Sequence, residues 1–357
     1  MGIGGTGYYS YFCMMDKYEI LRSGPGVSFA ETLLSLQIQM ETYLEMEASE
    51  GRRAIFVRFF LSDAQNQAEA LRSMLKSFSW TVRQGKQALE DIPALSIVEQ
   101  PPLDRSGIAA LIHTSSEARR YLFHSLRLRE DEAQGRDSYA QARLLFDKYL
   151  GLIRPLGLEL KTHCVRTWIY VRDIDANYAG LVKARNDVFA EEGLSLDTHY
   201  IASTGIGGAT DGRSSVVAID FLTRPDIRES DKTYLKALSH LSPTHDYGVS
   251  FERGVRLSDG HIYISGTASI DRCGRVVNEG NVLAQADRLL ENIDQLLREG
   301  GSSLDKVPYF IVYLRDISDY PLVDAYMQRR FHYLPRVILE ARVCRPAWLI
   351  EMECEVR

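Results

Sequence analysis

The feature that most constrains this chain is a segment that occurs three times. It is a β-branched or aromatic stretch that closes on an aspartate: Val57 to Asp63, Thr167 to Asp173 and Ile311 to Asp316. Alternate residues in each are apolar or aromatic, as a half-buried strand requires. The closing aspartate suits a turn, where its carboxylate accepts local backbone N–H groups. Self-similarity on this scale decides the architecture before any single motif does.

The surroundings of the three segments also repeat. A helical segment precedes each at nearly the same spacing. One begins at Ala140–Leu145 around Gln141, another at Ala284–Leu290 around Gln285, and the first spans about Phe29 to Met46. A second amphipathic helix follows each aspartate, over roughly 67–75, 178–189 and 322–331. Extended apolar segments then close each unit: 95–98 with 108–112, 215–222, and 337–343 with 348–356. Gly254–Ile270 reads as a hairpin turned at Ser258-Asp259-Gly260. The expected unit is strand pair, helix, strand, helix, strand pair, an α+β layer with helices on one face of a mixed sheet. A chain of 357 residues holds three of them. The expected division is a leader over 1–18, then units over 19–118, 119–230 and 231–357, with 223–246 a polar linker of little pattern. Helices would ring three inward-facing sheets, making a single-chain pseudo-trimer that can stand as a monomer.

Composition narrows the partners. A net charge of −6 and the lack of a basic stripe disfavour nucleic acid. No apolar run approaches the ~20 residues that span a bilayer, so no membrane partner is expected. Five scattered cysteines without CxxC or Cys/His spacing read as reduced thiols of a cytoplasmic protein. Eight histidines form no HxH or HxxxH pair, so no metal site is expected. His163 and His261 read as structural. Gly2, Gly4 and Gly7 have GxGxxG spacing, yet the dinucleotide fingerprint needs a strand before it; a flexible terminus is expected instead. The glycine-rich stretch 204–212 reads as a turn or substrate-facing loop. No GxSxG or catalytic-cysteine motif appears.

The third unit resembles the Rid family of imine and enamine deaminases. The residues that carry the likeness are Ile264-Ser265-Gly266-Thr267, Gln285, Glu291-Asn292-Ile293, Gly300 to Val307, Asp316, Pro335-Arg336 and Leu349 to Glu353. The resemblance implies the chorismate-mutase-like α+β unit and a trimer with clefts between units. Residues 160–357 are more similar still to the chorismatase family. That likeness rests on Val165 to Tyr170, Ala202 to Gly207, Phe251 to Gly254, Ile264 to Ile270 and Cys344 to Glu351. The first unit looks more like an ordinary Rid-type unit.

The resemblance selects Glu351 and Arg336 as the principal candidates. They flank two extended segments and the turn near Pro346, which can return one to the other. A guanidinium is a planar fork suited to a substrate carboxylate. Glu351 could act as acid or base, on substrate or through a water, and the chorismatase resemblance implies the acid; its apolar neighbours Leu349, Ile350 and Met352 would raise its pKa while Arg336 lowered it. The alternative is a surface charge pair. Ser265, Gly266 and Thr267 end a strand where backbone N–H groups could hold a carboxylate; a bulge glycine is the alternative. Phe251 stands where Rid enzymes place a tyrosine, and Cys344 either lines the pocket or packs as a small hydrophobe. The middle unit would supply the other wall through Trp168, Tyr170, Thr204 and Gly205, with Arg166 on the same strand face as Trp168. Aligned strands put Ala109 or Ala110, and Ile219 or Asp220, at the Glu351 position, so one functional cleft, or at most two, is expected instead of three. The leading expectation is a cofactor-free enzyme that releases pyruvate from chorismate. The others are a Rid-type enamine or imine hydrolase and a catalytically silent metabolite-binding protein.

Overall fold

The structure is a computed structural model that describes residues 15–24, 28–78 and 92–357. The GxGxxG glycines and most of the expected leader lie outside the described residues. The leader's expected end is corrected, because β1 already begins at Asp16.

Three sheets with one recurring strand order make up the fold. In the first, β1 (Asp16–Arg22), β2 (Arg53–Leu61), β3 (Ala94–Glu99) and β4 (Ile108–Ser115) lie in the order β1-β4-β2-β3. Helices α1 (Phe29–Ser49) and α2 (Ala64–Leu75) connect them. The second sheet has β5 (Leu122–Leu126), β6 (Cys164–Val171), β7 (Ala202–Gly207) and β8 (Val217–Thr223), in the order β5-β8-β6-β7. Its helices are α3 (Ser138–Ile153) and α4 (Ile174–Glu191). The third holds β9 (Lys232–Leu235), β10 (Gly254–Leu257), β11 (Ile262–Ala268), β12 (Phe310–Leu314), β13 (Arg336–Glu340) and β14 (Ile350–Val356). Within it β11-β14-β12-β13 repeats the same order, and β10 and β9 extend the β11 edge. Helices α5 (Val282–Glu299) and α6 (Tyr320–Arg330) belong to this part.

Local chemistry explains the elements. Asp63 caps α2 by accepting the Asn66 N–H at 3.2 Å, and Asp316 accepts the Ser318 N–H at 2.8 Å. Asp173 instead turns the backbone itself, at φ 45°. Asn281 caps α5 through the Ala284 N–H at 3.0 Å. The apolar stripe of α5, including Leu289, Leu290, Ile293 and Leu296, is wholly buried, and each such side chain contributes about 1.5–3 kcal/mol. The spacing of Gln141 and Gln285 has a physical basis. Each is buried and clamps the backbone entering the last strand of its sheet. Gln141 holds Ser214 O and Val216 N–H at 2.9 and 2.8 Å, and Gln285 holds Ala347 O and Leu349 N–H, both at 2.9 Å.

Each of the first two sheets turns one face to its own helices. Val57, Phe59 and Ile112 pack there in the first, and Ile169, Ile219 and Phe221 in the second. Their opposite faces, with Phe60, Leu111, Trp168 and Leu222, join the core cluster of the third sheet. The segments after the third strand of each sheet also bridge one another. Glu99 pairs with Ala209, Ile206 with Val343, and Pro102 with Leu339.

Three expectations are corrected. A single strand, not a pair, precedes the first helix in the first two sheets. The glycine-rich loop is in part strand β7, parallel to β6. Its Gly207 is required because a Cβ there would lie 2.8 Å from the backbone N and O of Arg342. The polar linker contributes β9, which pairs antiparallel with β10.

Candidate functional site

The strand register fixes what stands beside Glu351. It lies opposite Tyr313 on β12 and Ala268 on β11. Strand alternation turns Glu351, Glu353 and Glu355 to one face of β14, and all three are buried. Ile350 and Met352 point to the other face, so the expectation that they desolvate Glu351 is corrected; the second sheet and the cavity wall do so.

The neighbouring Glu353 is saturated with donors. It accepts from Arg166 Nη2 at 2.8 Å, Trp168 Nε1 at 3.0 Å, Tyr313 Oη at 3.2 Å and the Thr204 hydroxyl. Arg58 Nη1 from the first sheet approaches at 3.4 Å, with its guanidinium 4.5 Å above the Trp168 ring. Glu351 differs. Burial pushes its carboxyl up to about 8, the nearby Glu353 adds to the rise, and Arg166 and Arg253 oppose it. At neutral pH it holds its proton.

The Glu351 carboxyl sits over Gly266. A Cβ at that position would lie 2.0 Å from Glu351 Oε1. The β11–β14 ladder shifts register between Ile264 and Thr267, a bulge that opens room for the carboxyl.

Glu351 faces a narrow cavity of about 550 Å³ including its mouth. Gly266, Ala268, Phe251, Cys344 and Trp348 form the wall from the third sheet and its loops; Ser203, Gly205 and Tyr178 form the wall from the second. Three arginines line it: Arg185 of α4, Arg253 and Arg345. Arg253 lies 5.4 Å from the Phe251 ring and Arg345 4.9 Å from the Trp348 ring. Burial pushes the Cys344 thiol up to about 12, so it is present as a neutral thiol. The chamber therefore combines a protonated carboxyl with positive charge, a setting for an anionic ligand that receives a proton.

Of the residues expected at the site, the structure brings Glu351, Phe251, Gly266, Cys344 and Gly205 together around this cavity. Ser265 and Thr267 stand behind the wall; Ser265 Oγ donates to Glu252 O at 2.6 Å and Thr267 Oγ1 to Ser265 O at 2.9 Å. Trp168 and Thr204 serve Glu353, and Tyr170 donates to Asp220 at 3.1 Å. The pairing of Arg336 with Glu351 is corrected. β13 and β14 are not neighbours, since β12 runs between them. Arg336 lies opposite Phe310, whereas Glu351 is level with Tyr313. That offset is about 10 Å along the strand and two strand spacings across. The Arg336 guanidinium donates to Gln328 at 2.6 Å and Asp324 at 3.2 Å on α6. Register also settles the counterparts of Glu351. Ala218 stands opposite Tyr170 and Ala109 opposite Phe60, so Ala218 replaces the expected Ile219 or Asp220.

Sequence reasoning missed Arg185, Arg253, Arg345, Tyr178 and Ser203. One signal was present for Arg185. It stands in the buried stripe of α4 with Leu181, Val188 and Phe189, an arginine where an apolar residue is expected.

The family model described as Endoribonuclease L-PSP matches residues 244–357. The 3-aminoacrylate deaminase RutC of Acinetobacter baylyi is 32% identical over 100 residues, covering 27% of this chain and 77% of that protein. The RutC family protein UK114 of Drosophila melanogaster is 28% identical over 100 residues, covering 28% and 72%. The chain belongs to the Rid superfamily. A chorismatase crystal structure matches it with a TM-score of 0.68 at 20% identity, over 96% of this chain and 98% of that one, a likeness of fold. The fold likeness thus takes in the first sheet as well, beyond the 160–357 region of sequence resemblance.

Among the described residues no group of His, Cys, Asp and Glu could hold a metal ion. No helix among them is long and apolar enough to cross a membrane.

Proposed function

We propose that the protein is an enzyme that cleaves an enolpyruvyl ether of a small cyclic carboxylic acid, with chorismate the best candidate. The observation that carries this reading is the protonated, buried Glu351 in a chamber lined by three arginines. The arginines would hold the substrate's carboxylates as charge-assisted pairs. Glu351 would give its proton to the terminal methylene carbon of the enolpyruvyl group. The ether carbon then takes up a water molecule, the resulting hemiketal breaks its bond to the ring oxygen, and pyruvate leaves with a hydroxylated ring acid. No electrons are exchanged, so the reaction needs no redox cofactor. Incubation with chorismate followed by a pyruvate assay tests the reading: release by the wild type and loss in Glu351→Gln are expected, and no release by the wild type overturns it.

The likeness to a 3-aminoacrylate deaminase favours a second reading, hydrolysis of enamines or imines. Ammonia release from 2-aminoacrylate-type intermediates, without chorismate turnover, would select it. Phe251 in place of a tyrosine speaks against that reading.

The site reading includes an assembly. The chain is taken as a single-chain pseudo-trimer, divided near 118 and 230, in which one cleft carries the acid. Its support is the strand order shared by three sheets and the three mutual bridges at Glu99–Ala209, Ile206–Val343 and Pro102–Leu339.

A further inference from the structure

Thr204 stands between the saturated Glu353 and the proton-bearing Glu351, on the strand the second sheet presents to the third. Its hydroxyl is fully used. It accepts Gly266 N–H at 2.9 Å and Arg166 Nη2 at 2.6 Å, and it donates to Glu353. A hydroxyl offers one donor and two acceptor sites, so none is left for a ligand. The side chain is 1% exposed. The bulge in β11 leaves the Gly266 N–H without a partner on β14, and Thr204 is the group that receives it.

We propose that Thr204 is a positioning residue, which fixes the Gly266 backbone beneath the Glu351 carboxyl and ties it to the Arg166–Glu353 pair. Through Thr204 the second sheet thereby sets the orientation of the acid on the third, with a side chain that does not itself touch substrate. The proposal rests on Glu351 being the acid of the reaction above. Its geometry leaves little slack. A Cβ at Gly266 would come within 2.0 Å of Glu351 Oε1 and 3.0 Å of Thr204 Cγ2, so backbone, carboxyl and threonine methyl are mutually packed. Without the hydroxyl, the half-buried Gly266 N–H loses its acceptor and the bulge is free to shift toward water. The charged groups facing Glu351 are Glu353 on its own strand, Arg166 of β6 and Arg253 before β10. Arg185 and Arg345 line the same cavity, and Tyr178, Tyr313 and Cys344 are its neutral titratable neighbours.

The test compares Thr204→Val and Thr204→Ser in the full chain, with Thr204→Ala standing in should the valine variant not fold. Pyruvate release from chorismate gives kcat and KM. The Glu351 titration is followed by 13C NMR of carboxyl-labelled glutamate, assigned with Glu351→Gln. Loss of the hydroxyl should lower kcat about 10- to 100-fold, the cost of a small misplacement, with KM within about twofold. It should also move the Glu351 midpoint down toward an ordinary carboxylate as water reaches it. Thr204→Ser should restore both. A raised KM with unchanged kcat would show a substrate contact and overturn the proposal. So would an unchanged titration in the valine variant, or a serine variant as impaired as the valine one. If the wild type releases no pyruvate, the reaction assignment falls, while the NMR titration still decides whether Thr204 positions Glu351.

Discussion

The cleft that holds Glu351 and its counterpart beside the first sheet are built from matched strand positions, and they differ where it matters chemically. On β14, Glu351 faces Ala268 across the ladder. On β8 the matching position is Ala218, and the residue across the ladder is Arg127, next after Leu126 opposite Ile219. On β4 it is Ala109, opposite Arg22. On β14, therefore, an acid faces a small residue, while the matched positions on β8 and β4 carry a small residue facing an arginine. Those arginines are already engaged: Arg127 pairs with Asp220 at 2.9 Å and Arg22 with Asp104 at 2.9 Å. The counterpart cavity is lined by Leu75, Leu95, Ile97, Arg127, Arg72 and Asp211, with no proton-bearing carboxyl at its Glu351 position. The same strand arrangement thus holds a protonated carboxyl at one position and an engaged arginine at the other two, according to two side chains.

The largest expected effect comes from erasing the difference. Glu351→Gln keeps the shape and removes the acid, so pyruvate release should fall by about 10²–10⁴-fold. In the wild type the rate should fall as pH rises through about 8, where Glu351 loses its proton. A pH–rate profile that stays flat between pH 6 and 9 would remove Glu351 from the acid role.

Gly266→Ala strikes the seat of the acid instead of the acid itself. The added methyl meets Glu351 Oε1, the movable end of a side chain, so the carboxyl swings aside and the fold persists. We expect kcat to drop about 10- to 100-fold, with an unchanged far-UV circular dichroism spectrum.

A smaller effect concerns stability. The Glu351 carboxyl is raised from 4.5 to about 8 by burial, so between those values the folded chain holds a proton that the unfolded chain has released. Its contribution to stability is complete below about 4.5 and is lost as pH rises through about 8. Glu351→Gln has no such dependence. The Tm of the variant relative to the wild type should therefore climb with pH over that window, by on the order of 5 °C. Scanning calorimetry at pH 5 and pH 8.5 checks the sign.

Much of this contrast could be read from the sequence, and the unread part has a physical cause. Period-2 strands and helix stripes are local, so the three aspartate-ended strands and the helices around them were legible. The shared Gln141 and Gln285 were visible as spacing, though not as clamps on the last strand. Register between strands is not local. The parallel pairing of β12 with β13 places Arg336 away from Glu351, and nothing in the fifteen-residue separation betrays it. Likewise the stretch 204–212 reads as a turn or loop because a glycine within it, Gly207, answers the close approach of the Arg342 backbone. The three arginines come from a helix, a strand approach and a loop, which only tertiary packing assembles.

Arg336 provides the smallest expected effect and the sharpest check on that reading of register. Its guanidinium is bound to Gln328 and Asp324, outside the cavity walls. Arg336→Gln should leave kcat and KM for chorismate within about twofold of the wild type, whereas Arg253→Gln, at the cavity wall, should raise KM by about tenfold or more. If Arg336→Gln raises KM as much as Arg253→Gln, the substrate extends beyond the chamber to the edge of the third sheet. The contrast with the matched positions on β8 and β4 would then no longer reduce to the residues at positions 351 and 268.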